Sequence, residues 1–239
     1  MPNWCENRLS VSGPKETVAK IIKATKVDQG EFDFNGIVPM PPELHITSGS
    51  STSWGEDILY GDWSRMLGFP VWRDLFFELT GGHLPETREE MIYLIENEHR
   101  LYQPSNRLSW SFNLKEARQA ESNREKYGFK DWYDWSVAKW GTKWNGGEVD
   151  VESMEAEGFT IYFSTAWSPP VPVIEALCEQ YPDVEAELSY AETGCWFAGK
   201  VYGSDGEISD EPADDVKQFC IEEFGHEFDD EETEEEAEA

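Results

Sequence analysis

The sequence predicts an α+β protein with an antiparallel sheet in the chain order βαββαβ and a long helical insertion. Alternating polar and apolar residues, which are typical of half-buried strands, occur close to the N terminus and again beyond residue 141. Helical spacing of apolar residues fills the stretch between them. Aromatic residues make up 14% of the chain and supply area for a core, although the hydrophobic fraction is only 39%. These observations together favour one sheet packed against helices.

The first 42 residues predict a strand, a helix and a second strand. Residues 5–12 alternate in polarity and stop at Gly13, which indicates a strand followed by a turn. Pro14 suits the first position of a helix, because the N–H group that proline lacks would be unpaired there. Residues 32–38 alternate around two phenylalanines and are predicted to form the second strand.

Residues 43–141 predict a helical insertion in the core domain. A Gly/Ser/Thr-rich stretch at residues 48–53 predicts a mobile loop. Apolar residues at helical spacing predict four helices, at residues 70–80, 87–102, 113–127 and 130–140.

Strands return after the insertion. Residues 148–153 and 159–166 alternate in polarity, and a helix is predicted after Ser168, which is expected to act as its N-cap. Residues 184–190 and 195–202 predict a hairpin. The elements on both sides of the insertion add up to a ferredoxin-like βαββαβ antiparallel sheet with extra strands.

The predicted organisation is one ferredoxin-like domain over residues 1–203, with its helical insertion at about residues 43–141. An acidic extension at residues 204–228, containing a short helix, follows the domain. Residues 229–239 carry eight carboxylates and almost no apolar area, so they are expected to form a disordered acidic tail.

The charge of the chain limits its partners. Acidic side chains number 49 and basic ones 19, for a formal net charge of −30. This charge repels nucleic-acid phosphate and anionic lipid, so neither direct nucleic-acid binding nor membrane binding is expected. It attracts basic protein surfaces. Residues from Asp205 onward hold 17 of the acidic side chains and one lysine, and net charge also serves solubility.

No cofactor, metal or catalytic motif is found. The four cysteines, Cys5, Cys178, Cys195 and Cys220, show no metal-ligand spacing, and Cys5 is expected to be a buried thiol and not a nucleophile. The histidines, His45, His83, His99 and His226, are never paired at helical spacing. The N terminus resembles no signal peptide and no stretch is apolar enough to span a membrane, so a cytoplasmic protein is expected. Because no catalytic motif is found, the protein is not expected to be an enzyme.

The most distinctive candidate binding motif is the string Trp-Gly-Thr-Lys-Trp-Asn at residues 140–145. Two indoles beside a lysine can stack a planar ligand while the ammonium pairs with an anion. The candidate ligand-binding residues are Trp140, Lys143, Trp144, Asn145 and Trp167. The other interpretation is that glycines near the string make turns while its indoles pack in the core.

Several short strings resemble a known family. They are residues 1–9 (MPNWCENRL), 32–41 (FDFNGIVPMP), 131–135 (DWYDW), 140–145 (WGTKWN) and 163–170 (FSTAWSPP). Together they are similar to the DUF1281, or Api92-like (YubB-like), ferredoxin-like family of phages, plasmids and bacteria. This resemblance implies the ferredoxin-like fold and a setting among mobile genetic elements, and it implies no activity.

Three functions are compatible with these features, and the third, an enzyme without a recognisable motif, requires side chains that converge only in space. In the first, an acidic phage- or plasmid-type accessory protein binds a host protein that has a basic surface, in its strongest form as a DNA mimic with an anti-defence role in the host cytoplasm. In the second, the Trp140–Asn145 segment binds a small ligand or a nucleotide. The oligomeric state is left open.

Overall fold

The computed structural model describes residues 2–101, 108 and 111–228, so the acidic tail expected at residues 229–239 lies outside the described part. The chain divides into two compact units, Met1–Pro39 with Ser136–Ala239, and Met40–Trp135. We name them the ferredoxin-like unit and the helical unit. None of the described helices is both long and apolar enough to cross a membrane.

The ferredoxin-like unit holds six strands: β1 Trp4–Ser12, β2 Gly147–Glu155, β3 Gly158–Ala166, β4 Glu185–Glu192, β5 Phe197–Ser204 and β6 Glu207–Pro212. They form one antiparallel sheet in the order β2-β3-β1-β4-β5-β6. Strands β1 to β4, with helix α1 (Lys15–Thr25) between β1 and β2 and helix α7 (Val171–Gln180) between β3 and β4, follow the ferredoxin-like order βαββαβ and confirm the predicted fold class. Strand β6 was not predicted.

Helices α1 (Lys15–Thr25) and α7 (Val171–Gln180) supply the apolar side chains that pack with one face of the sheet. At its centre Leu9 of β1 pairs with Ile161 of β3 and Leu188 of β4, and all three are fully buried. Helix α8 (Val216–Phe224) packs against β4 and β5 on the sheet. Its buried Cys220 forms a hydrophobic cluster with Ala191 and Ala198 of the sheet. The partly buried residues that pack against this cluster are Ala213, Val216, Phe219, Phe224 and Phe228.

The strand predicted at residues 32–38 is wrong. Phe32 makes one isolated antiparallel bridge with Gly146, and Phe34–Gly36 is a 3₁₀ turn. The turn forms because the side chain of Asp33 accepts a hydrogen bond from the backbone N–H of Asn35. Both phenylalanines are buried, so the alternation reflected two rings packing in one core. The second strand of the fold is β2, which follows the helical unit in sequence.

The helical unit has a hydrophobic core of its own, formed by Ile58, Met66, Leu75, Phe76, Met91, Leu94, Ile95, Leu108, Phe112 and Leu114. Its helices are α2 Ser50–Leu59, α3 Pro70–Leu79, α4 Arg88–Leu101 and α5 Leu114–Tyr127, and α6 Trp132–Lys139 begins in this unit and ends in the ferredoxin-like unit. Helices α3 to α6 confirm the four predicted positions.

The loop predicted at residues 48–53 is wrong, because α2 begins at Ser50. Buried Thr52 donates its hydroxyl hydrogen to the carbonyl of Thr47, and Ile58 packs in the core of the helical unit. Tertiary packing thus overrides the low helix propensity of a Ser- and Gly-rich stretch.

Candidate functional site: an exposed tryptophan end

Two of the five predicted binding residues, Trp140 and Asn145, are in contacts that hold the fold together. The indole of Trp140 is buried, packs edge-on against Phe34 and donates its N–H to the carbonyl of Val38, with Nε1 and O 2.9 Å apart. The side-chain oxygen of Asn145 accepts a hydrogen bond from the backbone N–H of Phe34, and its amide donates to Asp33. Both residues therefore fix the turn at Phe34.

Asp33 is the charged centre of these contacts. Burial alone would raise its pKa, but hydrogen bonds from Lys26, Asn35 and Asn145 outweigh burial and lower the pKa to about 2. Its Oδ2 lies 2.8 Å from the ammonium nitrogen of Lys26. The carboxylate therefore ties the end of α1 to the segment that carries the predicted site.

The other three predicted residues, Lys143, Trp144 and Trp167, meet at the surface. The ammonium nitrogen of Lys143 lies 4.4 Å from the ring centroid of Trp144 and 5.2 Å from that of Trp167. A fourth residue, Trp4, joins them, because its ring centroid is 6.0 Å from that of Trp144 at an interplanar angle of 35°. The structure thus forms a cluster of three indoles around one lysine.

The register of the sheet places a further tryptophan at the same end. Trp4 pairs with Ala166, so Trp167 follows directly beside the start of β1. Strands β4 and β5 meet at this end in the pair Glu192 and Phe197, and Trp196 lies in the turn between them. We name this surface, formed by Trp4, Trp144, Trp167 and Trp196, the tryptophan end. In the described part of the chain these are the exposed tryptophans, at 48%, 38%, 40% and 50%.

Two of the four tryptophans have strained backbones. Trp167 has a φ of 73° and Trp196 a φ of 60°, in the left-handed region that bulky side chains avoid. This conformation costs about 1 kcal/mol per residue or more, so it persists only where the surroundings impose it. Its effect here is to hold two indoles at the surface, where they bury little apolar area.

Hydrogen bonds on both sides impose the conformation of Trp167. Its own N–H donates to the carbonyl of Asn3, at 2.9 Å. On its N-terminal side, the hydroxyl of Thr165 donates to the carbonyl of Ser168. The hydroxyl of Ser168 in turn donates to the carbonyl of Gly141. Ser168 is therefore not the N-cap predicted for the next helix, whose N-cap is Pro170.

A carboxylate holds the turn before Trp196. The side chain of Glu192 is almost fully buried and accepts hydrogen bonds from the backbone N–H groups of Gly194 and Cys195, at 2.7 and 2.5 Å. Burial alone would raise the pKa of Glu192, but the donors at Cys195 and Gly194 outweigh it and lower the pKa. At neutral pH the carboxylate is ionised and fixes the direction in which Trp196 leaves the turn.

Two carboxylates lie near the start of β1. Glu6 and Glu148 line a small cleft of about 120 Å³, together with Tyr162 and Phe224. Glu6 follows Trp4 by two residues, and its Oε2 lies 2.9 Å from the imidazole Nε2 of His226. Phe228, at the end of the described chain, contacts Trp196 with ring centroids 5.7 Å apart. In the sequence the eight carboxylates of residues 229–239 follow directly.

The prediction that Cys5 is a buried thiol is confirmed. Cys5 is fully buried, and burial raises the pKa of its thiol to about 12, so it is protonated at neutral pH. In residues 2–101, 108 and 111–228, no three His, Cys, Asp or Glu side chains converge as a metal site requires.

Sequence reasoning missed Trp4 and Trp196. Trp4 has a usable signal, because it shares the polar face of β1 with Glu6 and Arg8, opposite the apolar residues. No signal in the sequence identifies Trp196, because the string Thr-Gly-Cys-Trp does not reveal which residue of the turn adopts a positive φ.

Comparison with known proteins supports the resemblance for the C-terminal part of the chain. Residues 139–238 match a family model described as the ferredoxin-like domain in Api92-like protein. Among solved structures, the crystal structure of a protein api92 from Yersinia pseudotuberculosis matches with 12% identity and a TM-score of 0.40, covering 90% of this chain and 100% of that one. None of the curated proteins matches the chain.

Proposed function

We propose that this protein, whose residues 139–238 match a family model described as the ferredoxin-like domain in Api92-like protein, binds another protein, one with a basic surface, through its tryptophan end. The single observation that carries this proposal is the presence of four exposed indoles at one end of one sheet. Tryptophan is among the residues that most often anchor protein interfaces, where one buried indole contributes much of the binding energy.

The strain at Trp167 and Trp196 supports a binding role over a packing role. A residue that only filled space would have no reason to adopt a positive φ and leave its indole exposed. The helical unit also exposes aromatic side chains, such as Tyr60, Phe77 and Tyr93, but none of these has a positive φ. The tryptophan end is therefore the better candidate for the interface.

The charge of the ferredoxin-like unit supports a basic partner. Met1–Pro39 and Ser136–Ala239 contain 33 acidic and nine basic side chains, a net charge of −24 out of −30. A field of this sign accelerates encounter with a basic surface and disfavours an acidic one. Glu6 and Glu148, which line one cleft of this unit, suit the lysines and arginines that such a partner presents.

In its more specific form the proposal names a host protein in the cytoplasm, one that handles nucleic acid or defends against mobile elements. The support is the acidic charge together with the phage and plasmid setting that the resemblance implies. Several ordered carboxylates are already paired within the chain: Glu152 with Arg8, and Glu187 and Glu223 with Lys200. We therefore propose that the indoles supply the affinity and that the carboxylates supply the long-range attraction. In the stronger form of the proposal, carboxylates of this protein also mimic the phosphates of a nucleic acid.

The second candidate function is the binding of a planar small ligand such as a nucleotide. The observation that favours it is the pair of indoles, Trp144 and Trp167, with one ammonium between them. A saturable change in tryptophan fluorescence with one member of a nucleotide panel is the expected result for this candidate, and no response across the panel contradicts it.

The experiment for the proposed function is affinity capture from a bacterial lysate with a matched pair of variants. The test variant combines Trp4→Ser, Trp144→Ser, Trp167→Asn and Trp196→Asn. Asparagine is used at the two positive-φ positions because it tolerates that conformation. We expect the wild type to retain one basic protein in a stoichiometric amount, and the variant to retain at least about tenfold less, which is the loss typical of removing interface anchors.

The control variant changes exposed aromatic residues of the helical unit instead: Tyr60→Ser, Phe77→Ser and Tyr93→Ser. It removes comparable apolar area and should retain the partner as the wild type does. Equal retention by the tryptophan variant, or an equal loss in the control, contradicts the proposal. Circular dichroism of both variants verifies that each is folded.

A further inference from the structure

We propose that Glu6 and Trp196 form a docking site for a short peptide segment in which a cationic side chain precedes an aromatic one by two positions. In the free protein the chain's own His226 and Phe228 occupy this site, so the segment Gly225–Phe228, which we name the strap, is autoinhibitory. The inference rests on the proposed function and specifies the kind of segment that the partner presents. Three observations carry it: the two contacts of the strap, the weak hold on its end, and the sign of the charge beside it.

The strap spans strand β4 and contacts residues on both sides of it. Nε2 of His226 lies 2.9 Å from Oε2 of Glu6 in β1. The ring of Phe228 meets that of Trp196, which directly precedes β5, edge to face with centroids 5.7 Å apart. Strand β4 lies between β1 and β5 in the sheet. The two rings of the strap are 5.8 Å apart, so one short segment fills both positions. The occupant itself therefore shows which spacing of side chains the site accepts.

The strap begins where helix α8 ends. Gly225 is the C-cap and has a φ of 68°, in the left-handed region that favours glycine, which turns the chain out of the helix. The N–H of His226 donates to the carbonyl of Cys220 at 3.2 Å, so the first part of the strap is fixed. Among the described residues, no hydrogen bond involves the backbone of Glu227 or Phe228. Side-chain contacts thus hold the end of the strap, and its release leaves α8 folded.

These side-chain contacts are individually weak. The side chains of His226 and Glu6 are 23% and 47% exposed, and an ion pair this exposed contributes little because water screens it. Phe228 is only partly buried where it packs beside Lys217 and the cluster of Cys220. Trp196 is 50% exposed although the strap contacts it. A partner segment that makes the same two contacts can therefore displace the strap.

The charge beside the strap favours a lysine or arginine of the partner in the place of His226. Glu6 and Glu148 line one cleft, and none of the residues that line it is basic. Lysine and arginine carry a full positive charge at neutral pH, whereas histidine side chains change their charge in this range. A partner's ammonium or guanidinium therefore competes effectively for Glu6, and an acidic segment is repelled.

The test uses the peptide Ac-Arg-Gly-Phe-NH2 as a probe, because its cation and its ring have the spacing of His226 and Phe228. The readout is the indole N–H signal of Trp196 in ¹H–¹⁵N spectra of the full chain. The double variant His226→Ala/Phe228→Ala opens the site, so we expect a saturable shift with an apparent Kd on the order of 5 mM, as suits two weak contacts. In the wild type we expect binding at least about fivefold weaker, because the tethered strap competes at high effective concentration.

Two variants and one peptide serve as controls. Ile221→Ala removes an exposed apolar side chain from α8 and should bind the probe as the wild type does. Adding Glu6→Gln to the double variant should weaken binding at least about threefold, because the cation of the probe loses its carboxylate. The peptide Ac-Glu-Gly-Phe-NH2, with its charge reversed, should bind the double variant at least about fivefold more weakly than the probe does.

The single variants His226→Ala and Phe228→Ala keep the test decisive if the double variant is unstable. Each should bind the probe more tightly than the wild type and more weakly than the double variant. The strap and its site are contradicted if none of these variants shows a saturable shift at Trp196, or if the wild type binds as tightly as they do. Equal binding of the acidic peptide also overturns the proposal, since it excludes Glu6 as the site of the cation.

The titration contains no partner protein, so its failure is distinct from a failure of the proposed function. If capture depends on the tryptophan end and the probe does not bind the open variants, docking stands and the strap site is wrong. If the probe binds and capture does not depend on the tryptophan end, the site stands as a peptide site without the proposed docking role. A captured partner should bind the double variant at least about threefold more tightly than the wild type, and equal affinities contradict autoinhibition.

Discussion

Replacing Gly36 by alanine is expected to lower the free energy of unfolding by about 3 kcal/mol or more, since overpacking against rigid backbone is among the most destabilising changes. A Cβ atom at this position would lie 2.5 Å from the carbonyl carbon of Ala24 and closer still to its oxygen. The turn cannot move away from the end of helix α1, because the N–H of Asp33 donates a hydrogen bond to the carbonyl of Thr25 at 2.8 Å. The 3₁₀ turn at Phe34 therefore requires glycine at its end.

Urea unfolding followed by tryptophan fluorescence measures this effect. Gly147→Ala is the matched control in the same unit, because a Cβ there would meet nothing closer than 3.9 Å and its φ is not positive. We expect the control to stay within about 1 kcal/mol of the wild type. Equal midpoints for the two variants would show that the turn does not pack on α1 as described.

Replacing Asp33 by alanine is expected to cost about 2 to 3 kcal/mol at neutral pH, through loss of a turn cap, loss of charge-assisted hydrogen bonds and unpaired groups left on its partners. The carboxylate receives hydrogen bonds from Lys26, Asn35 and Asn145. About 1 to 2 kcal/mol of this total depends on the charge, after allowance for solvent screening of a partly exposed group.

The part of this stabilisation that depends on the charge of Asp33 is lost at low pH. The pKa of Asp33 in the folded protein is lowered to about 2 from the ordinary value of an aspartate, 3.8, so its contribution to stability is fully present above about pH 4 and is lost as the pH falls through the folded value. The difference in stability between wild type and Asp33→Ala should therefore be constant from pH 7 to about pH 5 and shrink towards pH 2. Asp28→Ala, at an exposed carboxylate, is the control and should show no such trend. A difference that is independent of pH would exclude an ionised Asp33 at this site.

The alternation of polar and apolar residues predicted most of the sheet, because along β1, β3 and β4 it shows directly which face of the strand is buried. It failed at residues 32–38, where two buried phenylalanines two residues apart resemble a strand although Asp33 caps a turn between them. It failed again at Ser50, where the hydrophobic core of the helical unit stabilises a helix in a Gly- and Ser-rich stretch. In both places the outcome depends on residues distant in sequence.

The candidate site was predicted in part. Residues 140–145 do include the lysine and one of the indoles of the surface cluster. The sequence could not separate Trp140, which is buried, from Trp144, which is exposed, because the two lie in one short turn-rich segment and only the packing on Phe34 distinguishes them. It could not foresee the positive φ of Trp196, because that conformation is imposed by the buried carboxylate of Glu192.

The strings behind the resemblance are joined by hydrogen bonds that support the tryptophan end. Asn145 bonds to Asp33 and Phe34, which links the string at 140–145 with that at 32–41. The amide of Asn7 donates to Thr165, which links residues 1–9 with residues 163–170. These side chains are buried or half-buried, so their role is to position the exposed indoles.

The central claim is that the tryptophan end is covered when a partner binds. ¹⁹F NMR of protein labelled with 5-fluorotryptophan tests it most directly, because each of the eleven tryptophans gives its own signal. On addition of the captured partner we predict that the signals of Trp4, Trp144, Trp167 and Trp196 shift or broaden, while that of buried Trp140 does not. Shifts at the tryptophans of the helical unit, with those four unchanged, would contradict the account.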